Sequence, residues 1–189
     1  MKLVTIGCSF GGLYALMELF GSLTTDFPAP IVVVQHRASD DQDEHRLAHV
    51  LSRYSTLPVK DADHGEPLAP ACVYLAPSDY HVLIDAGHFE LTVDPAVQYS
   101  RPSIDVLFES AARAYGAEVV GVLLTGYGHD GTAGMRAIHD AGGVTIAEDP
   151  GTALQPAMPR SAIQAGVASE VLPLDAIGPR LLELARVAA

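Results

Sequence analysis

The chain has 189 residues, 49% hydrophobic and 18% charged, enough apolar sequence for one sizeable core and too much for a disordered segment. Its 11 basic side chains against 23 acidic ones give a formal net charge of -12. That charge repels phosphate backbones and anionic membrane surfaces, so no nucleic-acid partner is expected, and no apolar stretch is long enough for membrane insertion.

The N-terminal "MKLVTIGCSFGG" lacks the charged start, long apolar middle and cleavage site of a secretory signal. Cytoplasm is the expected compartment, where Cys8 and Cys72 fit as reduced core thiols. A strand is predicted over Leu3 to Gly7, a glycine-rich turn carrying Ser9 follows, and a helix covers Gly12 to Phe20. Such a turn serves as a plain reversal, a phosphate cradle or the mount of a nucleophile.

The second strand, Ile31 to His36, is nearly all apolar, the pattern of a parallel strand covered on both faces. A helix over Gln42 to Arg53 and short strands at Pro58 to Lys60 and Val73 to Ala76 follow. "HVLIDAGHFELTV" then places two strand-like runs around Asp85-Ala86-Gly87 and predicts an antiparallel hairpin. Beyond it come a helix over Ser103 to Tyr115, a strand over Val119 to Thr125 and a helix over Gly131 to Ala141. The pattern closes with strands at Val144 to Glu148 and Glu170 to Leu172 and helices at Pro159 to Ala165 and Ala176 to Val187. Ser103 and Asp175 occupy N-cap positions, and Gly142-Gly143 and Gly166 occupy helix ends. The expectation is one α/β domain over residues 1–189, doubly wound, its mostly parallel sheet covered by helices on both faces, with an antiparallel hairpin excursion.

Ligands in such sheets bind beyond the carboxyl ends of the strands. Ser9 follows the first strand, His36 ends the second, and His129-Asp130 follow "VVGVLLTGYG". Serine, imidazole and carboxylate from three strand ends supply a nucleophile, its base and the group that orients the base. On this reading Gly7 permits a sharp turn, Gly11 and Gly12 bring the helix start close to the sheet, and the Phe10 amide faces a developing oxyanion. The loop around Tyr127 supplies a second donor. Each residue also has a structural reading: Ser9 as a turn residue, His36 as a core histidine, Asp130 as the N-cap of its own helix.

Two rival motifs fit poorly. "GCSFG" matches a hydrolase nucleophile elbow, but that fold orders its triad serine, acid, histidine. A dinucleotide turn reads G-x-G-x-x-G, while this one reads G-x-x-x-G-G and its second strand ends in Gln35-His36 without the acidic ribose ligand. His45 and His49 share a helix face without a third metal ligand. Asp61, Asp63, His64 and Glu66 form a polar turn, and Tyr80-His81 read equally as a strand start or a site lining.

Taken in order, "IGCSFGGLYAL", "IVVVQHRAS", "VYLAPSDYHVLI", "RPSIDVLFESAA", "LLTGYGHDGTAGM" and "MPRSAI" resemble the catalytic domain of the CheB chemotaxis protein-glutamate methylesterases from about Leu3 to Leu184. The resemblance implies a catalytic triad of Ser9, His36 and Asp130, with Phe10 and Tyr127 at the oxyanion site or substrate pocket. It implies hydrolysis of γ-glutamyl methyl esters on the cytoplasmic helices of chemoreceptors, in many members also glutamine deamidation, with neither metal nor organic cofactor. Phe10 and Tyr127 stand where the family usually has threonine and methionine, so an altered ester pocket is expected. Familiar members carry a phospho-receiver domain ahead of the esterase, whereas this chain opens on the catalytic strand. The expectation is a stand-alone enzyme, constitutive or controlled by a separate regulatory protein. An esterase of this fold on another substrate and a catalytically silent module binding a signalling partner are the alternatives. A basic face of Arg37, Arg46 and Arg53 would offset the acidic surface when a glutamate-rich receptor docks.

Overall fold

The computed structural model describes residues 1–36 and 46–187. In chain order the strands are β1 (Leu3–Cys8), β2 (Ile31–Gln35), β3 (Val59–Asp61), β4 (Val73–Leu75), β5 (His81–Asp85), β6 (His88–Thr92), β7 (Val119–Leu123), β8 (Val144–Glu148) and β9 (Glu170–Leu172). The helices are α1 (Gly12–Gly21), α2 (Arg46–Leu51), α3 (Ile104–Tyr115), α4 (Thr132–Asp140), α5 (Ala157–Gln164) and α6 (Leu174–Val187). Gln42 and His45 of the predicted second helix, and Arg37, lie outside the described residues.

Seven strands form one parallel sheet in the order β3-β4-β2-β1-β7-β8-β9. β5 and β6 pair separately, antiparallel, with Asp85 opposite His88. Their two-residue turn puts Ala86 at φ 46° and Gly87 at φ 85°, the backbone a tight hairpin requires. Alternation along the strands divides the core. Val4, Ile6, Cys8, Ile31 and Val33 pack with α1, α2 and α6, whereas Leu3, Val32, Val34 and Leu123 pack with α3, α4, α5 and the hairpin. Period-two strands with both faces covered explain why these runs are uninterruptedly apolar.

β1 lies between β2 and β7, so the chain winds outward from it in both directions. The crevice of a doubly wound sheet opens at that reversal. The carboxyl ends of β2, β1 and β7 therefore stand side by side, with Cys8 in register with Gln35 and Gly7 with Leu123.

Gly7 does not form the sharp turn expected of it. It sits inside the ladder, and a Cβ there would collide with the Ile104 side chain, so the first residue of α3 rests directly on β1. The reversal falls later, at Gly11, whose φ of 85° makes it the N-cap of α1. The carboxylate of Asp130 does not cap its own helix either, because Gly131 is the α4 N-cap and no side chain bonds there as a cap. Ser103 is the α3 N-cap by position, yet its hydroxyl is turned away from its own helix.

Candidate active site

The turn after β1 is fixed by backbone bonds. Ser9 N–H donates to Thr125 O at 2.9 Å, and Ser9 O accepts from Gly12 N–H at 2.9 Å. His36 follows β2, its N–H donating to Cys8 O at 3.0 Å. Gln35 clamps the two strand ends together, its Nε2 donating to Ser9 O at 2.8 Å and to His36 O at 2.9 Å. Ser9, Phe10, Gly11, Leu13, Tyr14, Met17, Gln35 and His36 line one open cavity of about 740 Å³.

Asp130 stands behind His36. Its Oδ2 lies 2.8 Å from His36 Nε2 and accepts Ile104 N–H at 2.8 Å. Its Oδ1 accepts Ser103 Oγ–H at 2.9 Å and Asp105 N–H at 3.0 Å. The carboxylate thus sits on the N-terminus of α3, where orphan amides and the helix dipole favour negative charge. Burial opposes its ionisation, but the bonds from His36, Asp105 and Ile104 prevail and hold its carboxyl below the usual range. An ionised carboxylate accepts only, so His36 donates from Nε2 and its Nδ1 is the proton acceptor.

The structure therefore brings all three sequence-predicted residues to adjacent strand ends and joins two of them. Among the described residues no hydrogen bond ties Ser9 Oγ to His36, although both line the cavity. Phe10 is 55% exposed and Tyr127 60% exposed; their ring centroids are 5.4 Å apart at 51°. Phe10 lines the cavity and Tyr127 leans on it from the β7–α4 loop.

Other candidates resolve into supports. His81 is buried, accepting from Ser103 N–H at 3.2 Å through Nδ1 and facing Pro95 O at 3.2 Å through Nε2. His64 Nδ1 accepts from Leu91 N–H. Cys8 is fully buried beside the cavity, and burial raises its thiol far above the ordinary range, with Glu148 adding to the rise. It carries no thiolate for attack at neutral pH.

Sequence reasoning missed several supports. Asp105, buried on the first turn of α3, would read there as an ordinary dipole-complementing acid. Thr125 Oγ1 donates to Phe10 O at 3.0 Å while its N–H donates to the buried Glu148 Oε2 at 2.8 Å. That pair fixes the floor beneath the serine turn. Gln35 carries a signal only in its position next to His36.

The family model described as CheB methylesterase matches residues 4–181. The chain is 46% identical over 98% of its length to protein-glutamate methylesterase/protein-glutamine glutaminase 2 of Anaeromyxobacter dehalogenans. It is 43% identical over 96% of its length to protein-glutamate methylesterase FrzG of Myxococcus xanthus. In both cases it covers 54% of the relative, so the chain spans about half the length of the curated relatives it matches. The crystal structure of the Thermotoga maritima CheB methylesterase catalytic domain superposes with a TM-score of 0.92 at 40% identity, over 97% of this chain and 98% of that one.

Proposed function

The chain belongs to the CheB methylesterase family, and from that premise we propose that it hydrolyses γ-glutamyl methyl esters on proteins, with Ser9 as nucleophile, His36 as base and Asp130 as the base's partner. The observation that carries the assignment is the 2.8 Å contact from Asp130 to His36 Nε2, which leaves Nδ1 as the acceptor in a histidine sharing a cavity with Ser9.

In this reaction Ser9 Oγ attacks the ester carbonyl as His36 Nδ1 takes its proton. The imidazolium returns that proton to the methoxy oxygen, the C–O bond breaks, and methanol leaves a glutamyl-Ser9 ester. Water then adds with His36 again as base, releasing the free glutamate and restoring Ser9. Asp130 stays ionised and stabilises the imidazolium. Phe10 N–H supplies an oxyanion donor at the start of α1. The same addition on a glutamine side chain expels ammonia, the glutaminase activity for which several relatives are named.

Methylated chemoreceptor helices in the cytoplasm are the substrate, and residues 1–189 act as one catalytic domain. Phe10 and Tyr127 form the mouth of the ester pocket. A fluorophosphonate probe tests the assignment. Modification mapped to Ser9 by mass spectrometry, and abolished in folded His36→Ala, is expected; an unmodified Ser9 in the wild type would overturn it.

A further inference from the structure

Asp105 is 3% exposed, and its bonds mirror those of Asp130. Its Oδ1 accepts Gly131 N–H at 2.9 Å and Gly134 N–H at 2.8 Å, the amides that open α4. Asp130, just ahead of α4, accepts the amides that open α3, including that of Asp105 itself. Each carboxylate therefore holds the other's helix. The two first turns are locked together directly behind His36.

The lock does not need a charge at position 105. Asparagine has nearly the same shape: its carbonyl oxygen can accept from both glycine amides, and its Nδ2 can donate to Gln98 once that amide turns its Oε1 inward. The charge is instead unfavourable for folding. Burial pushes the Asp105 carboxyl up to about 6, against the bonds from Gly134 and Gly131, and the charges of Asp130 and Glu109 push it the same way. The remaining oxygen, Oδ2, is met by a third donor, Gln98 Nε2 at 2.6 Å. Gln98 reaches it from a tight turn in which Val97 and Ser100 exchange backbone bonds of 3.1 and 2.9 Å. Both central residues adopt left-handed backbone, Gln98 at φ 49° and Tyr99 at φ 64°, a conformation unfavourable for side-chain-bearing residues. A buried like charge beside Asp130 and a strained turn bonded to it both point to function, because folding alone favours neither.

We propose that Asp105 is a positioning residue for the hydrolysis, fixing Asp130 against His36 through the interlocked helix starts and stabilising the His36 imidazolium by its own negative charge. The proposal rests on the triad assignment above. Among the described residues the titratable and charged groups around Asp105 are Asp130 from the β7–α4 loop with His36 beyond it, Glu109 on α3 and His81 of β5 against the Ser103 amide. Arg101 is occupied by the Val93 and Asp94 carbonyls, and Arg136 of α4 by the Ala165 carbonyl.

Asp105→Asn tests it. A negative charge near the imidazole favours its protonated form, so removing the charge makes the base available at lower pH. The acid limb of the fluorophosphonate modification rate and the midpoint of the His36 ring titration by NMR are both expected to move down by about half a unit to one unit. The plateau rate is expected to fall about tenfold. Thermal stability gives an independent reading. Because the folded-state carboxyl is raised above its unfolded value, its contribution is most favourable below pH 4 and is lost as pH rises through 6. Asp105→Asn removes that loss, so its melting temperature at pH 8 should not fall below wild type. A slower plateau with an unmoved limb and an unmoved His36 midpoint would make Asp105 merely structural and overturn the proposal. If the wild type is not modified at Ser9, the triad assignment falls, and the His36 titration still decides whether Asp105 is coupled to the imidazole. Should Asp105→Asn not fold, Gln98→Met removes one donor to the carboxylate, keeps Asp105 neutral to higher pH, and is expected to move the limb in the same direction.

Discussion

In the proposed hydrolysis His36 is the residue on which the chemistry turns, because two nitrogens of one ring face two different tasks. Nε2 is committed to Asp130, whose carboxylate is held by amides from the start of α3. Nδ1 is thereby left as the acceptor, which a serine nucleophile requires at neutral pH. Phe10 and Tyr127 act differently. Both are more than half exposed, and their ring contact lies at the rim of the cavity, outside the hydrogen-bond network. An aromatic pair of this kind contributes roughly 0.5–1.5 kcal/mol beyond area burial. Phe10→Ala and Tyr127→Ala are therefore expected to raise KM up to about tenfold with kcat nearly unchanged, and the double variant should be less than additive. A kcat that collapses in either single variant would place the rings in the chemical step instead of at the mouth.

At the scale of elements, the site depends on how closely α3 approaches the sheet. Ile104 rests on Gly7, and this contact brings the α3 amides to Asp130. Gly7→Ala adds a methyl group against that side chain in a closely packed layer. The expected cost is about 1–3 kcal/mol in denaturant unfolding, with a loss of activity larger than stability alone explains. Unchanged stability would mean that α3 has room to retreat. The same contact marks the limit of what the sequence discloses. The alternating and continuous apolar runs predict the sheet, the helices and the β5–β6 hairpin, since those depend on local period and turn chemistry. Ser9, His36 and Asp130 are legible as candidates because ligands of such sheets bind at strand ends. Gly7 was expected at a turn and instead packs beneath a helix nearly 100 residues later in the chain. Asp105 and Ser103 donate to the carboxylate of Asp130, in the loop ahead of a different helix. Nothing local distinguishes them from ordinary first-turn and N-cap residues, so their part is visible only once α3 and α4 are side by side.

Across the whole molecule, the sheet order carries the design. Winding outward from β1 in both directions sets the ends of β2, β1 and β7 next to each other, so Ser9 shares a cavity with His36 and His36 reaches Asp130 although the three are far apart in sequence. The two apolar layers hold that arrangement from opposite faces. The net charge of -12 supplies no general attraction to an acidic partner, and the rim of the cavity carries the exposed rings of Phe10 and Tyr127. The most direct measurement is methanol release from radiolabelled, methylated chemoreceptor membranes by wild type and by Ser9→Ala. Removing one member of a serine triad lowers kcat by roughly 10⁴ to 10⁶. Release by wild type, with Ser9→Ala at background, is the predicted result; equal release by both proteins, or none from folded wild type, would contradict the assignment.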